Sequence, residues 1–535
     1  MNQPFCSPVQ ALRSVLDAAA LLPSPSPEII PLEAACGRIA AGDLCAKMDQ
    51  PPFDRSPLDG YALHSADTAG ASRETPVTLP VVMKLYAGDA PAAALPGCGA
   101  ARIMTGAPLP EGADCVLMQE LTDSGEETVQ LYAAVKPLQN VVFRGEDVAA
   151  GAVIAPAGTV LTPAHLGVLA GQGYAEVAVC RPLTVGILST GSELLAPGAP
   201  WAPGKIYDAN GIQNAARLRQ LGFAVERQQC SDDPEVITGK MQELTDSGEV
   251  TVQLYAAVKP LQNVVFRGED VAAGAVIAPA GTVLSPAHLG VLAGQGYAEV
   301  TVCRPLTVGI LSTGSELLEP GAPWAPGKIY DANGTQNAAR LRQLGFAVER
   351  QQCSDDPEVI TGKMQELLTR CDAVITSGGV SVGQKDYLPL VLEKLGAQLL
   401  VEGVAQKPGS PMLAATLGGK LVFCLSGNPF AAAATLEQYA IPALLRAAGR
   451  REESCIPART VCTLTNGFAK ASKGNRYLRA TACGGKVTLP GAGNTEAHSS
   501  GALSAMMGCN CLVEIPAGSG PVEPGMEVEV LCFVQ

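Results

Sequence analysis

The stretch Asp372-Ala373-Val374-Ile375-Thr376-Ser377-Gly378-Gly379-Val380-Ser381-Val382-Gly383 decides the fold. Its first half is a short apolar run rich in β-branched residues and ended by turn formers, the pattern of a buried strand. Its second half carries three glycines and leads to a helix that opens near Asp386. Glycine allows positive φ and close approach of the backbone to a ligand. Successive N–H groups followed by a helix N-terminus then make a cradle for phosphate. A bare strand-to-helix turn has the same local sequence, so the neighbouring segments carry the decision.

Working outward, strands and helices alternate. Upstream stand the strand LTVGILS from Leu306, a helix from Asn333 to Gly345, the strand FAVERQQC and a helix from Pro357 to Arg370. Downstream stand a helix from Lys385 to Gly396, the strands QLLVEGV and LVFCLSG, and a helix from Pro429 to Ala447. This βαβ succession predicts a doubly wound, mostly parallel sheet with its ligand crevice at the carboxyl ends of the strands. Several acids project from those ends: Glu316, Asp331, Asp355 or Asp356, and Asp386. Carboxylates crowded beside a phosphate cradle repel one another unless a hard cation such as Mg²⁺ bridges them to the ligand. Each also has a plain alternative as a helix cap or a solvated rim. Ser377, Gly378, Gly379, Ser381 and Gly383 are the candidate phosphate contacts, with Lys407 as a cation and Asn428 at the sharp turn into the last helix.

Before this region, residues 51–147 are rich in Pro and Gly, with short β-like runs. The segments Pro52 to Ala62, Arg102 to Pro108 and Arg144 to Asp147 read as loops; they contain Asp59, Thr105 and Asp147. Val9, Leu12 and Leu16 are spaced for an amphipathic N-terminal helix. From about residue 451, short alternating strands predict a small β-barrel. The whole is an α/β multidomain chain: a doubly wound sheet domain, β-rich N-terminal domains and a C-terminal β-barrel. The formal net charge of −14 and the lack of any Lys/Arg-rich run exclude a general affinity for nucleic acid or an anionic membrane. No signal peptide or apolar membrane span is read. The 17 scattered cysteines fit reduced thiols, so the expected location is cytoplasmic. Cys509-Asn510-Cys511 lacks a second pair at zinc spacing and reads as ordinary strand packing.

The segment from Leu121 returns from Leu244 with an offset of 123 residues, through Glu243 and Glu366. Only five positions differ: Glu127/Val250, Thr162/Ser285, Ala178/Thr301, Ala196/Glu319 and Ile212/Thr335. One long, nearly identical unit is a tandem duplication, not a solenoid of short diverged repeats. Only the second copy runs on into the glycine turn, so Glu316 and Asp331 are favoured over their twins Glu193 and Asp208. Only the first copy is continuous with Asp59 and Thr105, so Asp147 is favoured over Asp270. The expected domains are residues 1–50 with 148–180, residues 51–147, the sheet domain 304–450 and the barrel 451–535. The segment 181–303 is expected to be extruded at the domain boundary.

Taken in order, Ser56 to Ala62 (SxxDGYA), Arg102 to Pro108 (RIMTGAP), Arg144 to Asp147 (RGED), Ser312 to Leu317 (STGSEL), Ser377 to Tyr387 (SGGVSVGxxDY), Lys407 to Gly409 (KPG) and Ser426 to Pro429 (SGNP) resemble the molybdopterin molybdenumtransferase (MoeA) family, related to the C-terminal part of gephyrin. The resemblance implies Mg²⁺-dependent insertion of molybdate into adenylylated molybdopterin with release of AMP. It implies a homodimer whose site joins the sheet domain of one subunit to N-terminal loops of the other. By the same carry-over, Asp59, Thr105, Asp147, Glu316 and Asp386 are catalytic, Glu316, Asp331 and Asp386 are metal ligands and Lys407 is an anion contact; the convergence of acids at the sheet edge adds Asp356 to the metal ligands. The chain departs from the family pattern at Val142, Ser410 and Ser426, where an arginine, a second lysine and a first proline are usual. A gephyrin-like scaffold, a related nucleotide-hydrolysing or adenylyl-transferring enzyme, and a chain inactivated by its duplication are the rival readings. Mg²⁺-dependent nucleotide binding and product analysis separate them.

Overall fold

The computed structural model describes residues 7–21, 25–91, 93–246, 250–253, 271–380, 387–493 and 498–534. The chain divides into two compact units: residues 1–29 with 178–301, and residues 30–177 with 302–535.

The larger unit contains the sheet anticipated from the glycine turn. Its strands are β1 (Thr307–Thr313), β2 (Ala347–Cys353), β3 (Ala373–Ser377), β4 (Gln398–Glu402), β5 (Leu413–Leu417) and β6 (Lys420–Leu425). They lie in the order β2-β1-β3-β6-β5-β4. β2, β1, β3 and β6 run parallel, while β5 is antiparallel to both of its neighbours. From β1 the chain crosses to β2 on one side and then to β3 on the other. The carboxyl ends of β1 and β3 therefore flank the switch point, where a ligand crevice opens. Strand β5 was not anticipated from the sequence. Gly418 and Gly419, both at positive φ, turn it directly into β6, and that Gly-Gly pair between apolar runs is a hairpin signal.

Both faces of the sheet are covered. Val308, Ile310, Ile375 and Phe423 meet Ala338, Leu341, Ala432 and Leu444 on one side. Leu311, Val374, Val422 and Cys424 meet Ile360, Met364, Leu367 and Val391 on the other. Each fully buried aliphatic side chain contributes about 1.5–3 kcal/mol relative to an exposed one, which is how runs with little alternation become central strands. The helices are Ala332–Gln343, Pro357–Arg370 and Leu388–Lys394, followed by Pro429–Thr435 and Ile441–Ala447 around a π-helical turn, Leu436–Ala440. One continuous helix was expected from Pro429 to Ala447. Pro442 has no N–H to give to the preceding turn, and the wider turn accommodates that loss.

In the N-terminal β-rich domain five strands lie in the order Cys115–Met118, Gly60–Leu63, Ala100–Ile103, Val77–Leu85, Thr128–Leu131. Two of them, Gly60–Leu63 and Ala100–Ile103, overlap segments read from sequence as loops. Their apolar runs are only four residues long, and the surrounding turn formers hid them. The C-terminal strands Arg459–Leu464, Asn475–Cys483, Lys486–Thr488, Cys511–Ile515 and Glu527–Cys532 close into a barrel. Cys462 and Cys511 lie in its core, and burial pushes the Cys511 thiol up to about 12. No disulfide joins the described cysteines to one another.

The smaller unit holds a three-stranded parallel sheet in the order Ala224–Cys230, Thr184–Thr190, Val250–Gln253. Helix Ala209–Gln220 packs on helix Pro286–Gly294, with Gln213 against Gly290. The larger unit makes the same contact with the copies exchanged, as Gln336 of the second copy packs against Gly167 of the first.

Candidate active site

The site begins with the pairing of strands Gly60–Leu63 and Ala100–Ile103. Gly60 stands opposite Ile103, so the residues just beyond, Asp59 and Thr105, share one end of the sheet. The backbone N–H and hydroxyl of Thr105 both donate to Asp59 Oδ1, at 2.8 and 2.7 Å. Gly60 is required here: a Cβ on it would lie 2.0 Å from the Leu117 carbonyl oxygen.

The opposing wall comes from the doubly wound sheet. After β3, Gly378 and Gly379 take φ of 96° and 68°, and a Cβ on Gly378 would sit 2.6 Å from the Thr313 carbonyl oxygen at the end of β1. Only glycine permits this turn at the switch point, where the Gly378 N–H donates to the Leu425 carbonyl at 3.1 Å and the Gly379 amide follows. Asn333 fixes it from the side, its Nδ2 donating to Ser377 Oγ at 3.1 Å and to the Gly427 carbonyl at 2.8 Å. The cap of helix Ala332–Gln343 is Asp331, which frees Asn333 to bridge two strand-end loops.

Between the walls lies a crevice of about 350 Å³, lined by Asp59, Thr105, Thr313, Glu316, Asp355, Gly378, Gly379 and Asn428 among others. The turn at Gly88 rests on Glu316, where a Cβ would fall 3.3 Å from the Glu316 Cα. These groups all belong to one chain. The chain's own β-rich domain lines its own crevice. A smaller adjoining cavity of about 220 Å³ shares Arg55, Pro57, Thr105, Gly106 and Asn428 with the crevice. Asp147 lines this second cavity, where its carboxylate accepts from the Leu503 and Ser504 amides (3.0 and 3.2 Å) and from the Ser504 hydroxyl.

Other anticipated residues lie elsewhere. Asp331 is buried and its oxygens are committed: Oδ1 accepts from the Gly334 amide at 2.8 Å, and Oδ2 from Ser312 at 2.6 Å and Arg350 at 3.0 Å. It does not line the crevice and acts as a cap and ion-pair partner. Asp356 caps helix Pro357–Arg370 through the Glu358 and Val359 amides. Its neighbour Asp355 is the one that lines the crevice, accepting from the Ser315 amide at 2.9 Å. Lys407 is exposed and outside the crevice lining, and Ser377 serves the wall through Asn333. Ser381, Gly383 and Asp386 lie outside the described residues. The departure at Val142 leaves an apolar side chain in the smaller cavity.

Mg²⁺ is commonly held by one or two carboxylates, with water and ligand phosphates completing its shell. Glu316 and Asp355, which line the crevice together with the Gly378–Gly379 turn, fit that donor chemistry. Among the described residues no cluster of three or more His, Cys, Asp or Glu side chains is arranged for a metal. No helix among them is long and apolar enough to cross a membrane.

Fold and crevice define a class: a multidomain α/β protein with a crevice at the carboxyl edge of a doubly wound sheet. Family models narrow it. "MoeA N-terminal region (domain I and II)" matches residues 6–173 and 236–296, "Probable molybdopterin binding domain" matches 309–446, and "MoeA C-terminal region (domain IV)" matches 462–533. The chain belongs to the MoeA family. A molybdopterin molybdenumtransferase of Staphylococcus epidermidis is 29% identical over 506 residues, covering 94% of this chain and 90% of that protein. One of Staphylococcus aureus is 28% identical over 526 residues, covering 98% and 94%. A solved molybdopterin biosynthesis MoeA protein of Pyrococcus horikoshii is 24% identical over 99% of both chains, with a TM-score of 0.35, too low to support an argument.

Proposed function

We propose that this chain is a molybdopterin molybdenumtransferase that inserts molybdate into adenylylated molybdopterin and releases AMP in molybdenum cofactor biosynthesis. The observation that carries the reading is the meeting of the Gly378–Gly379 turn, Glu316, Asp355 and the Asp59–Thr105 pair in one crevice. The Gly379 amide at the strand end suits a phosphate, since it offsets charge without adding a flexible cation. Glu316 and Asp355 would hold Mg²⁺, which when bound offsets charge on the phosphate oxygens. Asp59 keeps the Thr105 hydroxyl aimed along the opposite wall. Asn333 fixes Ser377 and Gly427, so the phosphate wall is rigid before ligand arrives. The tetrahedral oxyanion substrate would lie towards the smaller cavity. A cytoplasmic location and a homodimer with a shared active site belong to this reading on the strength of the family.

The test is direct. Purified full-length chain with Mg²⁺, molybdate and adenylylated molybdopterin should release AMP and yield cofactor that activates an apo-molybdoenzyme. Failure of both would remove the assignment. AMP release without active cofactor would favour the rival nucleotide-hydrolysing reading.

A further inference from the structure

The crevice and the cavity beside it are lined by acids: Asp59, Glu316 and Asp355 in one, Glu146 and Asp147 in the other. An anionic substrate entering such a place in a chain of formal net charge −14 needs a local cation. Among the described lining residues of both spaces there is one cationic side chain, Arg55, and it lines both. Lys407, nominated from sequence, lines neither.

The backbone pins Arg55 at this neck. Its N–H donates to the Val142 carbonyl at 2.9 Å and its carbonyl accepts from the Val142 N–H at 3.0 Å. The side chain reaches the C-terminal domain, where Nη2 lies 3.1 Å from the position a Cβ on Gly501 would take. A larger residue there would crowd the guanidinium. Among the described residues no protein group accepts a hydrogen bond from the Arg55 side chain; Asp147 and Glu146 act on it only through space. Burial disfavours its charge and these two acids favour it. A partly buried guanidinium whose planar fork of donors is uncommitted is suited to a tetrahedral oxyanion.

We infer that Arg55 is a substrate-binding residue, gripping a tetrahedral oxyanion where the crevice opens into the smaller cavity. The inference rests on the molybdenumtransferase reading and names the cation that reading requires. Free molybdate and the nucleotide phosphate share this chemistry, and the experiment separates them. Molybdate and AMP are titrated separately, with Mg²⁺, into the full-length chain and its Arg55→Gln and Arg55→Lys variants by calorimetry. Thermal melts verify folding. Loss of a charged hydrogen bond predicts about 10- to 100-fold weaker binding of one ligand to R55Q, with R55K intermediate because it keeps the charge and loses the fork. Selective loss for molybdate makes Arg55 the free-oxyanion contact, and selective loss for AMP the phosphate contact. A folded R55Q that binds both ligands as the parent does overturns the inference and leaves the wider reading standing. A parent chain that binds neither ligand overturns both. A purely structural role, balancing Glu146 and Asp147, would lower the melting temperature without changing affinity.

Discussion

Asp355 and Asp356 are adjacent in sequence and face different partners: one lines the crevice, the other accepts the first amides of helix Pro357–Arg370. Asp355→Asn removes a hard anionic donor while keeping shape. It should lower Mg²⁺-dependent turnover at least about tenfold, or ~1.4 kcal/mol in the barrier, with little change in melting temperature. Asp356→Ala removes a cap and should cost about 0.5–2 kcal/mol of stability with turnover per folded molecule nearly unchanged. Steady-state kinetics and urea unfolding of both variants check this, and reversed outcomes would assign the metal to Asp356. Sequence could narrow the choice to this pair but not decide it, because a cap and a metal ligand both require an acid just before a helix. The same ambiguity hid the role of Asp331. Ser312, Gly334 and Arg350, which occupy it, come from a strand end, a helix first turn and a neighbouring strand.

At the scale of elements, Asp372 ties the amino ends of β1 and β3. Its carboxylate accepts from the Thr307 amide at 2.8 Å and pairs with Arg304 at 2.6 Å, and those contacts hold its pKa down at about 2, chiefly through Arg304. A folded-state pKa below the unfolded value stabilises the fold above the ordinary carboxylate range, and the gain is lost as pH falls towards about 2. Asp372→Asn should therefore lower the urea midpoint at pH 7, with the gap from the parent closing between pH 5 and pH 2. Arg304 is largely exposed, so screening limits the effect to less than about 1 kcal/mol. A gap that stays constant with pH would show that the charge is irrelevant. Most elements here were legible from period and turn residues, and helix Pro357–Arg370 matches its expected ends. Strand β5 and the short strands of the N-terminal domain were not, since a four- or five-residue run is stable only when neighbours complete its hydrogen bonds.

Across the whole molecule, the duplication sets identical sequence in two environments. Thr128–Leu131 pairs antiparallel with Val77–Leu85, whereas in the second copy the strand Val250–Gln253 runs parallel to Thr184–Ile187. Val177 is 3% exposed and its twin Val300 is 40% exposed. Every residue described as lining the crevice lies in residues 30–177 and 302–535. Excision of 181–303, which rejoins Cys180 to Arg304, should therefore leave a folded protein with parental turnover, and limited proteolysis of the full chain should cut first within 181–303. Loss of turnover on excision, with folding intact, would mean that the smaller unit contributes to catalysis. By itself the sequence determined the doubly wound sheet, the barrel, the glycine turn and the extent of the repeat, because these follow from local period, turn chemistry and self-similarity. Tertiary structure alone decided which acids reach the crevice, that one chain's β-rich domain closes it, and that Arg55 stands at its neck. Those outcomes depend on groups distant in sequence meeting in space, where each polar atom goes to the partner that best repays its desolvation.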